Sequence, residues 1–123
     1  MIVLDSSAII HVLGGTEKGK LIESRFGDDV IYSTVISISE VLIGVKMSDR
    51  EKVKKFFEGI ELLDFDSKAA YKSVEIEDSL RKKGKVIGKL DIFIASTCLL
   101  YNLPIVTADK DFKNVEGLKV LYV

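Results

Sequence analysis

The chain has 123 residues and sets 18 Lys and Arg against 19 Asp and Glu, a formal charge of -1, which excludes a polyanion binder held by net charge alone. Apolar residues make up 47% and charged ones 30%, an ordinary globular balance, and no run of about eighteen residues is continuously apolar, so no membrane span is expected. This length predicts a single domain over 1–123 that needs no disulfide staples, and the one cysteine, Cys98, has no partner in the chain.

The amino terminus, "MIVLDSS", reaches a charge after four residues without a basic segment before it. It reads as no signal peptide, and a cytoplasmic location is expected. "MIVLD" is a short buried strand, followed by a helix over "SAIIHVL" that stops at Gly14-Gly15. A second helix fits "EKGKLIESRF" and ends at Gly27. "DVIYSTV" reads as a strand and "ISISEVLIGV" as a helix. "SDREKVKKFFEG" is an amphipathic helix capped by Ser48 or Asp49, with Val53, Phe56 and Phe57 on its apolar stripe and Gly59 at its end.

"IELLDF" is strand-like, and a long helix from about Ser67 to Lys83 follows, closed by Gly84. The run "DIFIASTCLL" predicts a helix from Asp91 to near Tyr101, ended by Asn102 and Pro104. "PIVTAD" is a strand, Asp109 to Phe112 a single turn, and "LKVLYV" the last strand. Strands alternating with helices predict an α/β fold, a three-layer α/β/α sandwich around a mainly parallel, roughly five-stranded sheet. Ligands of such sheets bind beyond the carboxyl ends of the strands.

Acidic residues fall at that edge. Asp5 follows the first strand, and Asp109 follows "PIVTA" with Asp111 just beyond. Asp91 opens a crossover helix and Glu40 lies in the first turn or so of another, so both belong near the same edge. Each also fits a plain role in capping or in the field of a helix N-terminus, and Ser37 with Glu40 matches the S-x-x-E capping box. Glu40 strains that role, because Ile36, Ile43 and Gly44 share its side of the helix. Four crowded carboxylates repel and raise one another's pKa unless a cation sits between them.

Oxygen-only donors suit Mg²⁺ or Mn²⁺. His11 and Cys98 have no metal-ligand partners at useful spacing, which argues against zinc. Divalent ions held by carboxylates suit phosphoester hydrolysis.

In chain order, "MIVLDSSAII", "ISEVLIGV", "LDIFIASTCLL" and "IVTADKDF" resemble the PIN domain, most nearly the small VapC-like ribonucleases of bacterial and archaeal toxin–antitoxin pairs. The resemblance implies an Mg²⁺- or Mn²⁺-dependent endoribonuclease with acidic ligands at Asp5, Glu40, Asp91 and Asp109. It implies an orienting role for Thr107, a rim or water-holding role for Asp111, and either site support or helix capping for Ser6. It also implies a homodimer and a VapB-like antitoxin as partners, with RNA as substrate. The apolar "VLIGVKM" and Phe56-Phe57 fit either such interfaces or the core.

Arg81, Lys82, Lys83, Lys85 and Lys89 form an acid-free stretch just before Asp91, with Gly84 and Gly88 lending it flexibility. It reads either as a solvated face or as an RNA phosphate contact. Arg50, Lys52, Lys54 and Lys55 read as an ordinary exposed face. No strand carries the aromatic pair of a base-stacking platform.

Competing folds lose on particular positions. A haloacid-dehalogenase-type phosphatase wants an aspartate where Ser7 stands, and a response-regulator receiver wants paired acids where "DSS" offers one. A flap-type nuclease wants helical elements for which the chain has no room. A PIN domain that binds RNA or a partner without cutting remains the alternative.

Overall fold

The structure, a computed structural model, describes residues 1–123. Five strands, β1 (Ile2–Leu4), β2 (Ile31–Thr34), β3 (Glu61–Leu63), β4 (Ile105–Thr107) and β5 (Val120–Tyr122), form one sheet in the order β3-β2-β1-β4-β5. Every neighbouring pair is parallel. Six helices join them: α1 (Ser6–Gly14), α2 (Glu17–Phe26), α3 (Val35–Gly44), α4 (Arg50–Glu58), α5 (Ser67–Lys82) and α6 (Lys89–Leu100). Short 3₁₀ turns cover Met47–Asp49 and Lys110–Asn114.

Alternation along the strands sorts their residues onto two faces, because successive side chains point opposite ways. Ile2, Leu4 and Val106 pack with Ala8, Ile9, Ile22, Val41, Val53 and Phe57 beneath α1 to α4. Val3 and Ile105 pack on the other face with Ile76, Leu80, Ile92, Ile94 and Phe112 beneath α5, α6 and the last 3₁₀ turn. The expected three-layer sandwich therefore holds, with the sheet parallel throughout.

The chain turns outward from β1 to β2 to β3, then returns across the sheet to β4 on β1's other side. This reversal makes the gap beyond Leu4 and Thr107 the topological switch point, where parallel sheets leave a crevice.

Several local expectations change. The helix expected to open at Asp91 starts at Lys89, with Gly88 as its N-cap and no side-chain cap bond. Asp91 is therefore in the first turn and free of capping duty. The Ser37–Glu40 capping box does not form: α3 starts at Val35, Thr34 caps it by accepting from the Ser37 amide, and Glu40 falls in the second turn. The expected Ser48 or Asp49 cap is absent, because a 3₁₀ turn over Met47–Asp49 feeds straight into α4 and Asp49 makes no side-chain cap bond.

Phe57 belongs to the core, as does Val41, so only Ile43 and Met47 of the apolar stretches considered for interfaces are strongly exposed. No helix is long and apolar enough to cross a membrane.

Gly19 and Gly84 are among the glycines that geometry requires. A Cβ on Gly19 would lie 2.1 Å from the His11 carbonyl oxygen, so glycine lets α2 pack against α1. Gly84 has φ +67°, and the Lys85 and Gly84 amides bond back to the Leu80 and Arg81 carbonyls, a Schellman end to α5.

Candidate active site

Asp5 sits where β1 becomes α1, and its carboxylate is 3% exposed. Oδ1 accepts from the Ala8 amide at 2.8 Å and from Ser7 Oγ at 2.7 Å, while Oδ2 accepts from Thr107 Oγ1 at 2.6 Å. The capping role is thus real, and it uses only one of the two oxygens. Burial pushes the Asp5 carboxyl above the usual carboxylate range, and the nearby Asp109 charge adds to the rise. The three hydrogen bonds oppose it, Thr107 most strongly.

Thr107, buried at the end of β4, also accepts from the Asp109 amide at 2.9 Å. One hydroxyl therefore links the first acid to the turn that carries the last one. Asp109 is half-buried, caps the final 3₁₀ turn and accepts from the Asp111 amide at 2.9 Å; Asp111 is exposed at the rim. Glu40, half-buried on α3, accepts from Ser6 Oγ at 2.7 Å. Ser6, open between two roles in the sequence, thus supports an acid of the site.

Asp91 makes no hydrogen bond to hold its carboxylate. Burial pushes it up to about 6, helped by the charges of Glu40, Asp109, Asp5 and Asp111 in that order. Elements far apart in sequence thus bring Asp5, Glu40, Asp91, Asp109 and Asp111 within electrostatic reach of one another. None of the five pairs with a lysine or arginine; the ion pairs of the molecule lie elsewhere.

No three acidic, His or Cys groups close into a cage on their own. An open, oxygen-only cluster lacking a protein counter-cation fits Mg²⁺ or Mn²⁺, since Mg²⁺ keeps several waters and takes one or two carboxylates. It does not fit zinc's closed tetrahedron. His11 is tied to Thr16 at 2.8 Å, and burial pushes the Cys98 thiol up to about 12, so neither is poised for chemistry.

Sequence reasoning missed Ser7. Its hydroxyl donates to Asp5 and accepts from the Ala108 amide at 3.1 Å, pinning the first acid to the β4 turn. No local signal marks it, because its second partner lies 101 residues away.

The five basic side chains of the stretch are exposed. Glu77 approaches Arg81 at 3.5 Å and Lys89 at 3.9 Å, and Lys83 Nζ reaches the Asn114 carbonyl at 3.3 Å. The loop is anchored rather than loose: Gly84 ends α5, Ile87 is buried and Gly88 caps α6.

A parallel α/β sheet with carboxylates gathered at its switch point presents hard oxygen donors at the sheet's carboxyl edge. The family model described as "PIN domain" matches residues 2–118. The chain belongs to the PIN domain family, and within it is similar to proteins named VapC. It is 35% identical over 132 residues to "Ribonuclease VapC" of Rickettsia bellii, covering 99% of this chain and 96% of that one. It is 31% identical over 134 residues to "Ribonuclease VapC1" of Rickettsia felis, with the same coverage. Among solved structures, the crystal structure of VapBC2 from Rickettsia felis bound to a promoter DNA fragment aligns with TM-score 0.81 at 25% identity, over 100% of this chain and 99% of that one.

Proposed function

We propose that the chain is a divalent-metal-dependent endoribonuclease and the toxin of a toxin–antitoxin pair. Asp5, Glu40, Asp91 and Asp109 are its metal ligands. The observation that carries this reading is the meeting of these carboxylates at the switch point without any protein cation between them. Relatives named ribonuclease and a VapBC complex of the same fold support it.

Bound Mg²⁺ or Mn²⁺ supplies positive charge for phosphate oxygens and makes water a stronger acid at neutral pH. The protein's own part is positioning. Ser7 and Thr107 fix both oxygens of Asp5, Ser6 holds one oxygen of Glu40, and Asp91 stays unbonded and free to meet a cation. Asp111, exposed at the rim, would accept a hydrogen bond from a water there. Arg81, Lys82, Lys83, Lys85 and Lys89 contact RNA phosphates. A VapB-like antitoxin and a second copy of the chain are the partners this reading carries.

The test is Mn²⁺-dependent cleavage of an RNA panel by the wild type and by Asp5→Asn. Equal cleavage by both overturns the site. Binding of RNA and Mn²⁺ without cleavage by either protein favours the non-cutting PIN domain.

A further inference from the structure

Tyr122 ends β5, the strand beside β4, and its register partner is Thr107, the residue that binds both Asp5 and Asp109. The Tyr122 backbone thus stands one strand spacing, about 4.8 Å, from the acid-bearing strand, at the same carboxyl edge of the sheet. Two lysines from separate elements converge on it: Lys113 Nζ from the last 3₁₀ turn at 4.7 Å from the ring centroid, and Lys18 Nζ from α2 at 5.9 Å. Both lysines are exposed, and neither has an acidic partner.

An aromatic face beside free ammonium groups is the arrangement with which proteins hold single-stranded nucleic acid, the ring stacking a base and the cations meeting phosphates. We infer that Tyr122, with Lys18 and Lys113, forms a subsite for single-stranded RNA that takes the nucleotide next to the one held at the acids. Tyr122 is half-buried, and a lysine resting on the open part of its ring is held more weakly than a stacked base, so the base displaces the ammonium onto its own phosphate. The subsite lies on the β5 side, on elements distinct from the Arg81–Lys89 stretch. This inference rests on the nuclease reading for its substrate.

The experiment measures binding of a fluorescein-labelled 12-nucleotide oligouridylate by anisotropy, in EDTA so that no cleavage occurs. Tyr122→Ala is expected to weaken binding by about 5- to 100-fold, and Tyr122→Phe to retain it. Lys18→Ala and Lys113→Ala are each expected to weaken binding and to flatten the salt dependence by about 0.7 in log–log slope. The chain has no Trp and only four Tyr, so quenching of tyrosine emission by the oligonucleotide reports stacking directly and is expected to fall in Tyr122→Phe. Circular dichroism melts and Mn²⁺ titrations of each variant establish that fold and metal affinity are unchanged.

Wild-type affinity in Tyr122→Ala overturns the subsite, as does equal loss in Tyr122→Phe or no wild-type binding at all. RNA cut normally by Tyr122→Ala overturns the subsite and leaves the nuclease reading intact. RNA bound through Tyr122 but never cut supports the subsite and overturns the nuclease.

Discussion

The β1–β4 seam and the first turn of α6 hold their acids in opposite ways. At the seam, Asp5 is almost wholly buried and receives three hydrogen bonds that fix it in one geometry. On α6, Asp91 is half-buried, has no hydrogen bond and faces four other carboxylates. The first carboxylate is fixed by its hydrogen bonds; the second is disfavoured as a charge by burial first and by its acidic neighbours second. An acid cluster of this kind combines a rigid reference point with a repulsive partner, and a cation bound between them would relieve the repulsion.

The contrast breaks most sharply at Asp5. Asp5→Asn is expected to lower Mn²⁺-dependent RNA cleavage by more than about 100-fold, beyond the 10–100-fold typical of residues that only orient ligands. The melting temperature without metal should hold or rise, because a buried charge is removed. Thr107→Val should cost about 10- to 100-fold in Mn²⁺ affinity, read by calorimetry, with Thr107→Ser restoring most of it. Loss of Asp5's partner should also cost about 1–3 kcal/mol of stability in denaturant melts. Ser7→Ala should follow the same pattern at the lower end of both ranges, since the Ala8 amide still serves the same oxygen.

Asp91 sharpens the other side. Its folded pKa of about 6 lies above the ordinary 3.8, so the folded state binds more protons between those values. Without metal, its contribution to stability therefore falls as pH rises from about 4 to 6 and stays lowered above. Asp91→Asn should stabilise the metal-free protein at pH 7.5 by about 1–2 kcal/mol, discounted for partial solvent screening, and by nothing at pH 3.5. Denaturant melts at the two pH values check this, and an equal gain at both sinks the electrostatic account.

The smallest effect belongs to the surface. Arg81→Ala or Lys89→Ala alone should weaken RNA binding only a few-fold, because Glu77 already shares their charge. Anisotropy titrations over a salt series resolve a change of this size.

Local sequence carried the alternation of strands and helices and the placement of acids just past strand ends, since hydrophobic periodicity and breakers act over a few residues. Asp5 and Asp109 were legible because each directly follows an apolar strand. Asp91 does not open its helix, as its sequence suggests, because Gly88, a poorer cap than aspartate by preference, takes that place in the fold. Glu40, expected in the first turn or so of its helix, stands in the second, because of Thr34 and Ser37, which both look like caps, only Thr34 acts as one.

What the sequence by itself determined is the set of elements and the edge at which chemistry belongs, because both follow from short-range pattern and from the geometry of parallel sheets. Only the tertiary structure decided which hydroxyls hold which acids and that Tyr122 stands level with Thr107. Those facts depend on strand register and on contacts about a hundred residues apart, where packing of the whole molecule, and no local preference, selects the partner.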